Sequence, residues 1–438
     1  MEGQSSYIVS QCFSGADADV EPGIQMTSAA SVISPNTVST PDLKQTRVVS
    51  LDVFRGLAVA GMILVTDPGT YRAVYWPLLH AQWNGWTPTD MIFPGFLFAV
   101  GVAITLSFAS RIERGGDRTK LARHVIFRGI AIFLIGLGVN GFPDYNLHTI
   151  RIPGVLQRIA LCYLCGALFY LGIGYLGSGR AAEVADKRQW RRRVALIVGF
   201  AVILLGIYWA LLKLVPVPGF GAGRLDSLGN IGAYVDRSLL GTRHLWAWGL
   251  TPGYGVTFDP EGLLSTLPAI ASLLVGVIAG EWLRTESSTK RKVFALAAAG
   301  LILALAGWLL NPLLPINKKL WTSTFALFSG GVSLLIFSAL YSVLDVKRWR
   351  WWTPPALVLG TNAILAFALS NVITTLTDRI HINLRDGSVL TIHQWIYGHC
   401  FATWLQPVHA SLGYAIAIVL LNLAIVYPLY RRRIFLRV

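Results

Sequence analysis

Long apolar blocks make up most of the chain, and short polar and basic segments separate them. A transmembrane helix needs about 20 mostly apolar residues, and the segment 389–405 is too polar to qualify. We expect that segment to lie at the surface. The pattern predicts ten spans, at 48–66, 91–109, 125–142, 154–176, 194–215, 262–281, 293–310, 321–344, 353–377 and 408–430.

These blocks favour helices over strands. Backbone groups in lipid must be satisfied within a helix or a closed barrel, and no alternating ten-residue pattern of the barrel type is evident. The predicted fold class is an all-α membrane protein with about ten transmembrane helices. Residues 1–46 are rich in Ser, Thr, Gly and Pro, and we interpret them as a disordered cytosolic tail before a membrane domain at 47–438.

Composition supports this interpretation. The 438 residues are 54% hydrophobic and 13% charged, whereas soluble proteins carry about 25% charged residues. An ordinary cytosolic enzyme is therefore excluded. Four cysteines are too few and too scattered for a disulfide framework. Cys162 and Cys165 lie within an apolar run, so we interpret them as small buried hydrophobic residues rather than a redox or zinc pair.

Basic residues predict the orientation of the spans. The net charge of +15 would suggest nucleic-acid binding in a soluble protein, but here the basic residues cluster in short loops. Of the 37 Lys and Arg residues, 24 fall on the side that holds both termini and nine fall on the other side. The positive-inside rule then predicts that both termini lie in the cytosol. The predicted location is the cell (inner) membrane, as a multi-pass protein. We expect no nucleic-acid partner.

The first outer loop, 67–90, is the main candidate for chemistry. It holds His80, Asp67, Asp90 and several aromatic residues. Histidine titrates near neutral pH and can take a proton from an attacking amine or hydroxyl. The alternative is an interfacial histidine in an aromatic belt, with Trp and Tyr serving as membrane anchors.

Charges within or beside spans form a second signal. Asp52 and Arg55 share a helix face and could pair. Arg55 and Arg128 are predicted near cytosolic span ends, where they could meet ligand phosphates or reach lipid headgroups. Four further charges flank outer span ends, and favourable helix-dipole interactions would explain the acids among them without function. They are Arg151, Arg158, Asp259 and Glu261. The pattern predicts no metal site.

Several blocks resemble the heparan-α-glucosaminide N-acetyltransferase family, in family order and over about residues 47–438. They are Arg47–Gly56, Leu79–Gly85, Thr89–Pro94, Arg151–Arg158, Leu214–Gly219, Tyr234–Arg237, Asp259–Gly262, Pro315–Lys318 and Tyr430–Phe435. The resemblance implies a multi-span enzyme that transfers acetyl from cytosolic acetyl-CoA to a sugar amine across the membrane. Membrane lipids are its other partners, and the resemblance also suggests a homodimer.

The resemblance places the family's catalytic histidine on His80, as general base or acyl carrier. We expect Arg55 and Arg128 to bind acetyl-CoA and Asp67 to assist catalysis. The expected substrate-binding residues are Trp83, Asn84, Trp86, Asp90, Arg151, Arg158, Asp259 and Glu261.

Two departures from the family leave the acceptor open. The lysosomal member has a luminal domain and one more span before this core, whereas only a polar tail precedes it here, as in bacterial forms. Thr66 stands where family members often have Asn, so either Asp67 substitutes or the acceptor chemistry differs. A glycan O-acetyltransferase with the same donor is one alternative, and a small-anion transporter is an alternative from another class.

Overall fold

The computed structural model describes residues 48–113, 116–175, 187–384 and 387–435, and the predicted tail lies outside them. The α-helices are α1 (Val49–Thr66), α2 (Ile92–Glu113), α3 (Arg118–Gly141), α4 (Val155–Tyr175), α5 (Lys187–Leu214), α6 (Ile231–Leu240), α7 (Thr266–Leu283), α8 (Thr289–Leu309), α9 (Ser323–Tyr341), α10 (Pro354–Thr361), α11 (Ala363–Arg379), α12 (Ile392–Ile396) and α13 (Pro407–Arg431). Two antiparallel ribbons pair β1 (Leu250–Thr251) with β2 (Gly255–Val256), and β3 (His381–Asn383) with β4 (Val389–Thr391).

Nine helices in the described part of the chain are long and apolar enough to cross a membrane. They coincide with nine of the ten predicted spans, and the all-α membrane fold is thereby confirmed. The polar segment 389–405 forms β4, α12 and a π-helical turn at Tyr397–Phe401, all of which are too short to cross a bilayer.

The predicted span 353–377 is a broken pair rather than one straight helix. Helices α10 and α11 meet at an angle of 88°, and Asn362 between them leaves the helical region at φ −122° and ψ 43°. The carbonyl of Gly360, which the break frees, accepts a hydrogen bond from the Arg55 guanidinium. A polar group released within a bilayer must find such a partner.

Helix α7 lies at the centre of the bundle, and 78% of its 18 residues are buried. It approaches α2 closely, because a Cβ on Gly101 would lie 2.0 Å from the carbonyl oxygen of Leu273. A Cβ on Gly276 would lie equally close, at 2.0 Å, to the carbonyl oxygen of Phe98. The two glycines therefore allow the backbones to meet, as small residues do between membrane helices.

Helices α3, α5 and α8 form the periphery. Each exposes large apolar side chains, including Phe127, Val202 and Phe294. Such surface is expected where a helix contacts lipid, since lipid tails are as apolar as the side chains.

Five connections between the predicted spans lie on the predicted outer side, and they meet at one end of the bundle. They are residues 67–90, 143–153, 216–261, 311–320 and 378–407. The loop after α1 contacts the 216–261 segment through Trp83 and Leu225, and the 311–320 segment through Gly85 and Ile316. The same loop contacts the 378–407 segment, because His393 lies 3.0 Å from the carbonyl oxygen of Gly69. The 143–153 segment joins them where the Ile152 amide donates to the His244 carbonyl.

Candidate active site

A capping turn shapes the loop that carries His80. Thr87 caps the 3-10 helix Pro88–Met91, and Oδ2 of Asp90 accepts a hydrogen bond from the Thr87 amide at 2.9 Å. The same carboxylate oxygen accepts from the amide of Ala81 at 3.1 Å. The chain from 81 to 87 is thereby closed around a buried Asp90, which brings His80 beside that carboxylate.

His80 and Asp90 form a hydrogen-bonded pair. The Nδ1 of His80 donates to Oδ1 of Asp90 at 2.6 Å, with the His80 side chain 43% exposed and the Asp90 side chain 1% exposed. Because the carboxylate holds the proton on Nδ1, Nε2 carries the free lone pair. Among the described residues, none hydrogen-bonds that Nε2.

The electrostatic environment keeps His80 neutral. Partial burial lowers the pKa of His80 and the Lys318 ammonium lowers it further, against the opposing effect of the hydrogen bond that His80 donates to Asp90. A neutral imidazole with an open Nε2 can accept a proton at neutral pH. The pair has the His–carboxylate arrangement of general-base sites.

The connection between α8 and α9 supports this loop from the side. The amide of Gly85 donates to the carbonyl of Ile316 at 2.8 Å. The buried Asn317 donates to the Asn84 side chain at 3.1 Å, and Lys319 donates to the Gln82 carbonyl at 2.6 Å. Contacts at residues 82, 84 and 85 therefore fix this segment, which begins two positions after His80.

Trp321 anchors that connection in the core. It is fully buried with a left-handed φ of 51°, a conformation that is unfavourable for a bulky residue and occurs where surroundings enforce it. Its indole donates to Ser272 of α7 at 3.2 Å. The guanidinium of Arg158 lies 5.1 Å above its ring.

Arg151 joins two acids at the same end of the bundle. Its Nε donates to one Asp259 oxygen at 2.8 Å, and an NH2 nitrogen donates to the other at 2.6 Å. The NH2 nitrogen also donates to Glu261 at 2.6 Å. The forked geometry is the strong form of ion pair, and these charges raise the pKa of Arg151 against the effect of burial.

Arg158 lies beneath this ion-pair cluster, almost fully buried, and donates to the carbonyl of Gly262 at 3.0 Å and to Ser265. Asp236 of α6 is close by, and its Oδ1 accepts from the amide of Leu263 at 2.9 Å. Burial raises the pKa of Asp236 to about 7. Asp236 is therefore a carboxyl group in this region whose pKa lies near neutral pH.

The aromatic residues of the loop differ in how accessible they are. Trp83 donates to the Leu225 carbonyl at 2.8 Å and packs edge-on against Phe258 at 5.1 Å, so protein contacts occupy it. Trp86 is 47% exposed and lies 4.9 Å from Phe328. Asn84 is also exposed. Trp86 and Asn84 are thus the expected substrate-binding residues of this loop that remain exposed.

Asp67 belongs to a different network from His80. It is buried at the end of α1, accepts a hydrogen bond from Thr374 of α11, and neighbours the His393–Asp378 pair. Burial raises the pKa of Asp67 to about 7. Among the described contacts, none joins Asp67 to His80 or Asp90, and the expected catalytic partnership is not formed in this structure.

The two expected donor arginines lie against different helices. Arg55 contacts Asp52 at 3.6 Å, the predicted pairing, and also Gly360 of α10. Arg128 lies 5.1 Å from the ring of Tyr163 in α4. Helix α3 begins at Arg118, seven residues before the predicted span, so Arg128 lies about 15 Å from the start of the helix. That Arg128 lies near the cytosolic end of the membrane span stays a prediction.

Sequence reasoning missed three residues of this region, although the blocks quoted above contain them. Asn317 and Lys318 lie between α8 and α9, and only the fold brings them beside the loop that carries His80. Asp236 lies in α6, and the fold brings it to the Asp259–Leu263 segment. Within the described chain, no group of three or more His, Cys, Asp or Glu residues could hold a metal ion.

The fold and this site define a multi-pass membrane protein with a His–carboxylate pair at one end of its helix bundle. A family model described as "Heparan-alpha-glucosaminide N-acetyltransferase, catalytic" matches residues 47–316. The chain belongs to this family, and the resemblance drawn from the sequence blocks is confirmed.

Two relatives show the same similarity. The human heparan-alpha-glucosaminide N-acetyltransferase is 31% identical over 355 residues, which cover 73% of this chain and 52% of the relative. The mouse protein of the same name is 32% identical over 355 residues, with 73% and 53% covered. The chain spans about half the length of the relatives that it matches.

Proposed function

We propose that this protein is an integral-membrane acetyltransferase that moves acetyl from acetyl-CoA to the amine of a glucosamine-like sugar. The His80–Asp90 pair carries the proposal, because it places a neutral base with an open Nε2 at the rim of the bundle. Family membership supplies the donor and the class of acceptor.

The reaction needs a thioester carbonyl, an amine and a base at one point. The amine nitrogen attacks the acetyl carbon while His80 Nε2 takes the proton that the amine releases. When the carbon–sulfur bond breaks, the CoA thiolate leaves and the imidazolium returns the proton to it. Asp90 stabilises the transient imidazolium through the Nδ1 hydrogen bond, as carboxylates do in triads.

The positive-inside rule supports the outer face as the acceptor side, with both termini in the cytosol of a cell-membrane protein. The acceptor would then reach Trp86 and Asn84, the exposed loop residues. Sugar rings stack on aromatic faces, and an exposed indole offers such a face. Trp83 and the Arg151 cluster hold the surrounding loops in place.

The donor would enter from the cytosolic side. Arg55 and Arg128 are the candidate contacts for the phosphates of acetyl-CoA. Each of them also contacts another helix of the bundle. Arg55 satisfies the broken backbone at Gly360, and Arg128 faces the ring of Tyr163. Substitution of Arg55 should therefore affect folding as well as donor binding.

The test is acetyl transfer by purified protein in lipid nanodiscs, with radiolabelled acetyl-CoA and glucosamine or a glucosaminide as acceptor. We expect CoA release that depends on the amine, and loss of that release in His80→Ala with acetyl-CoA binding kept. Equal transfer to an N-acetylated sugar would instead indicate O-acetylation. Uptake of label into vesicles without CoA release would favour the transporter.

A further inference from the structure

Lys318 occupies a fixed position at the edge of the candidate active site. On one side, the buried Asn317 is hydrogen-bonded to Asn84, and on the other, Lys319 donates to the Gln82 carbonyl at 2.6 Å. The backbone of Lys318 is also bonded, since its carbonyl accepts from the Trp321 amide at 3.1 Å. Lys318 is thus held beside the loop that carries His80.

The ammonium of Lys318 has no partner within the part of the chain that the structure describes. The residue is half-buried, yet none of the described hydrogen bonds or ion pairs includes its Nζ, which carries three donors. Nearby cations differ, because Lys319 is bonded to a carbonyl and Arg151 to two carboxylates. The Lys318 ammonium is therefore available to a ligand atom that can accept its hydrogen bonds.

The contacts of Asn317 with Asn84 and of Lys319 with Gln82 place Lys318 beside the loop that carries the proposed base. In agreement with this position, the positive charge of Lys318 lowers the pKa of His80 and of Glu261. The charge therefore acts on the imidazole, where positive charge would develop during acyl transfer.

We propose that the Lys318 ammonium binds the carbonyl oxygen of the acetyl thioester and stabilises the negative charge that forms there. This assignment rests on the proposed acetyltransferase function. As the nitrogen–carbon bond forms, the carbonyl electron pair moves onto oxygen, and His80 takes the amine proton. When the carbon–sulfur bond breaks, the pair returns, and His80 gives the proton to the CoA thiolate. A positioned cation favours this intermediate more than the ground state.

The test compares Lys318→Met and Lys318→Arg with the wild type in nanodiscs. Lys318→Met should lower kcat by about 10²–10³-fold, the loss usual for one oxyanion donor, with the acetyl-CoA dissociation constant unchanged. Lys318→Arg, which keeps the charge, should recover part of that loss. Lys290→Met removes a lysine charge from the exposed start of α8 and should match the wild type.

The pH profile adds a measurement that a purely structural role would not move. Lys318 lowers the pKa of His80, so Lys318→Met should shift the acid limb of kcat to higher pH. If Lys318→Met does not fold, Lys318→Gln, with a neutral side chain of intermediate length, is measured in the same way.

A kcat within about tenfold of the wild type in the Lys318→Met protein would overturn the assignment. So would a large rise in the acetyl-CoA dissociation constant with kcat retained, because Lys318 would then bind the donor elsewhere. If His80→Ala is inactive in the same series, the proposed function survives this failure. If His80→Ala is as active as the wild type, the proposed function fails first.

Discussion

Asp90 is buried and His80 is open, although Nδ1 and Oδ1 of the two residues are 2.6 Å apart. The carboxylate is held by the Ala81 and Thr87 amides, so its position does not depend on the imidazole. The rigid member of the pair therefore orients the exposed member. In the proposed reaction Asp90 would therefore act through His80 as a positioning residue, whereas its expected contact with a sugar stays a prediction.

The first prediction concerns this orientation. Asp90→Asn should lower kcat by about 10²–10⁴-fold, because an amide no longer fixes the proton on Nδ1 or stabilises the imidazolium. The dissociation constant for acetyl-CoA should not change. Steady-state kinetics and donor titration of the purified variant would measure both quantities.

Asp144→Asn is the matched control, since Asp144 pairs with Arg379 at an exposed position. It should retain wild-type turnover. An Asp90→Asn enzyme with turnover within a factor of ten would show that the pair only holds the loop together.

The second prediction is a pH profile. His80 must be neutral to act as a base, and partial burial with the Lys318 charge lowers its pKa below the usual 6.5. Activity should therefore rise with pH through an apparent pKa below 6.5 and be lost at more acidic pH. The measurement is kcat at saturating acceptor from pH 4.5 to 8.5 and constant ionic strength, because kcat/KM would also report the ionisation of the free acceptor amine. An acid limb centred above pH 7 would contradict the assigned environment of His80.

Run length and composition predicted the spans, because lipid and core both select apolar residues. The break at Asn362 could not be predicted in this way. Residues 353–377 are apolar enough overall to be predicted as one span, although Gly360, Thr361 and Asn362 interrupt the apolar residues at the break. The freed carbonyl is satisfied by Arg55, about 300 positions earlier in the chain. Such a tertiary hydrogen bond allows the bend, and no local pattern shows that it forms.

The candidate site shows the same limit. His80 and Asp90 were both predicted, but as base and substrate ligand, because their pairing depends on the capping turn at Thr87. Lys318 lies in the connection between α8 and α9, and its place beside the His80 loop is decided by helix packing. Arg151, Asp259 and Glu261 were predicted separately, and the structure joins them in one ion-pair cluster.

The third prediction concerns that cluster. Arg151→Met leaves the buried Asp259 and Glu261 without their partner and should destabilise the protein by about 3–5 kcal/mol. Arg379→Met breaks an ion pair in which both side chains are 58% exposed, so it should change stability by about 0–1 kcal/mol. Thermal unfolding in detergent would compare the two variants. Equal midpoints would show that the cluster adds no stability.

The fourth prediction concerns the close contact of α1 and α10. A Cβ on Gly56 would lie 1.8 Å from the carbonyl oxygen of Ala356, so Gly56→Ala must separate the helices. Overpacking of this kind costs about 1–3 kcal/mol or more. Gly206→Ala in α5 meets nothing within 4 Å and should be neutral or stabilising by about 0.5–1 kcal/mol. We expect a lower melting temperature for Gly56→Ala and an unchanged or higher one for Gly206→Ala. An unchanged melting temperature in Gly56→Ala would mean that α1 and α10 are less tightly packed than the structure shows.

The fifth prediction tests the orientation of the bundle with natural and introduced cysteines. Cys400 is exposed in the segment predicted on the outer face, so a membrane-impermeant maleimide should label it in intact cells. Cys162 is buried as predicted, whereas Cys165 is exposed on the candidate spanning helix α4 and not buried. Ser288 is exposed between α7 and α8, at the opposite end. In a background with Cys12, Cys165 and Cys400 all changed to serine, Ser288→Cys should react only after permeabilisation. Labelling of Ser288→Cys in intact cells, with Cys400 protected in the wild type, would invert the topology and move His80 to the cytosolic face.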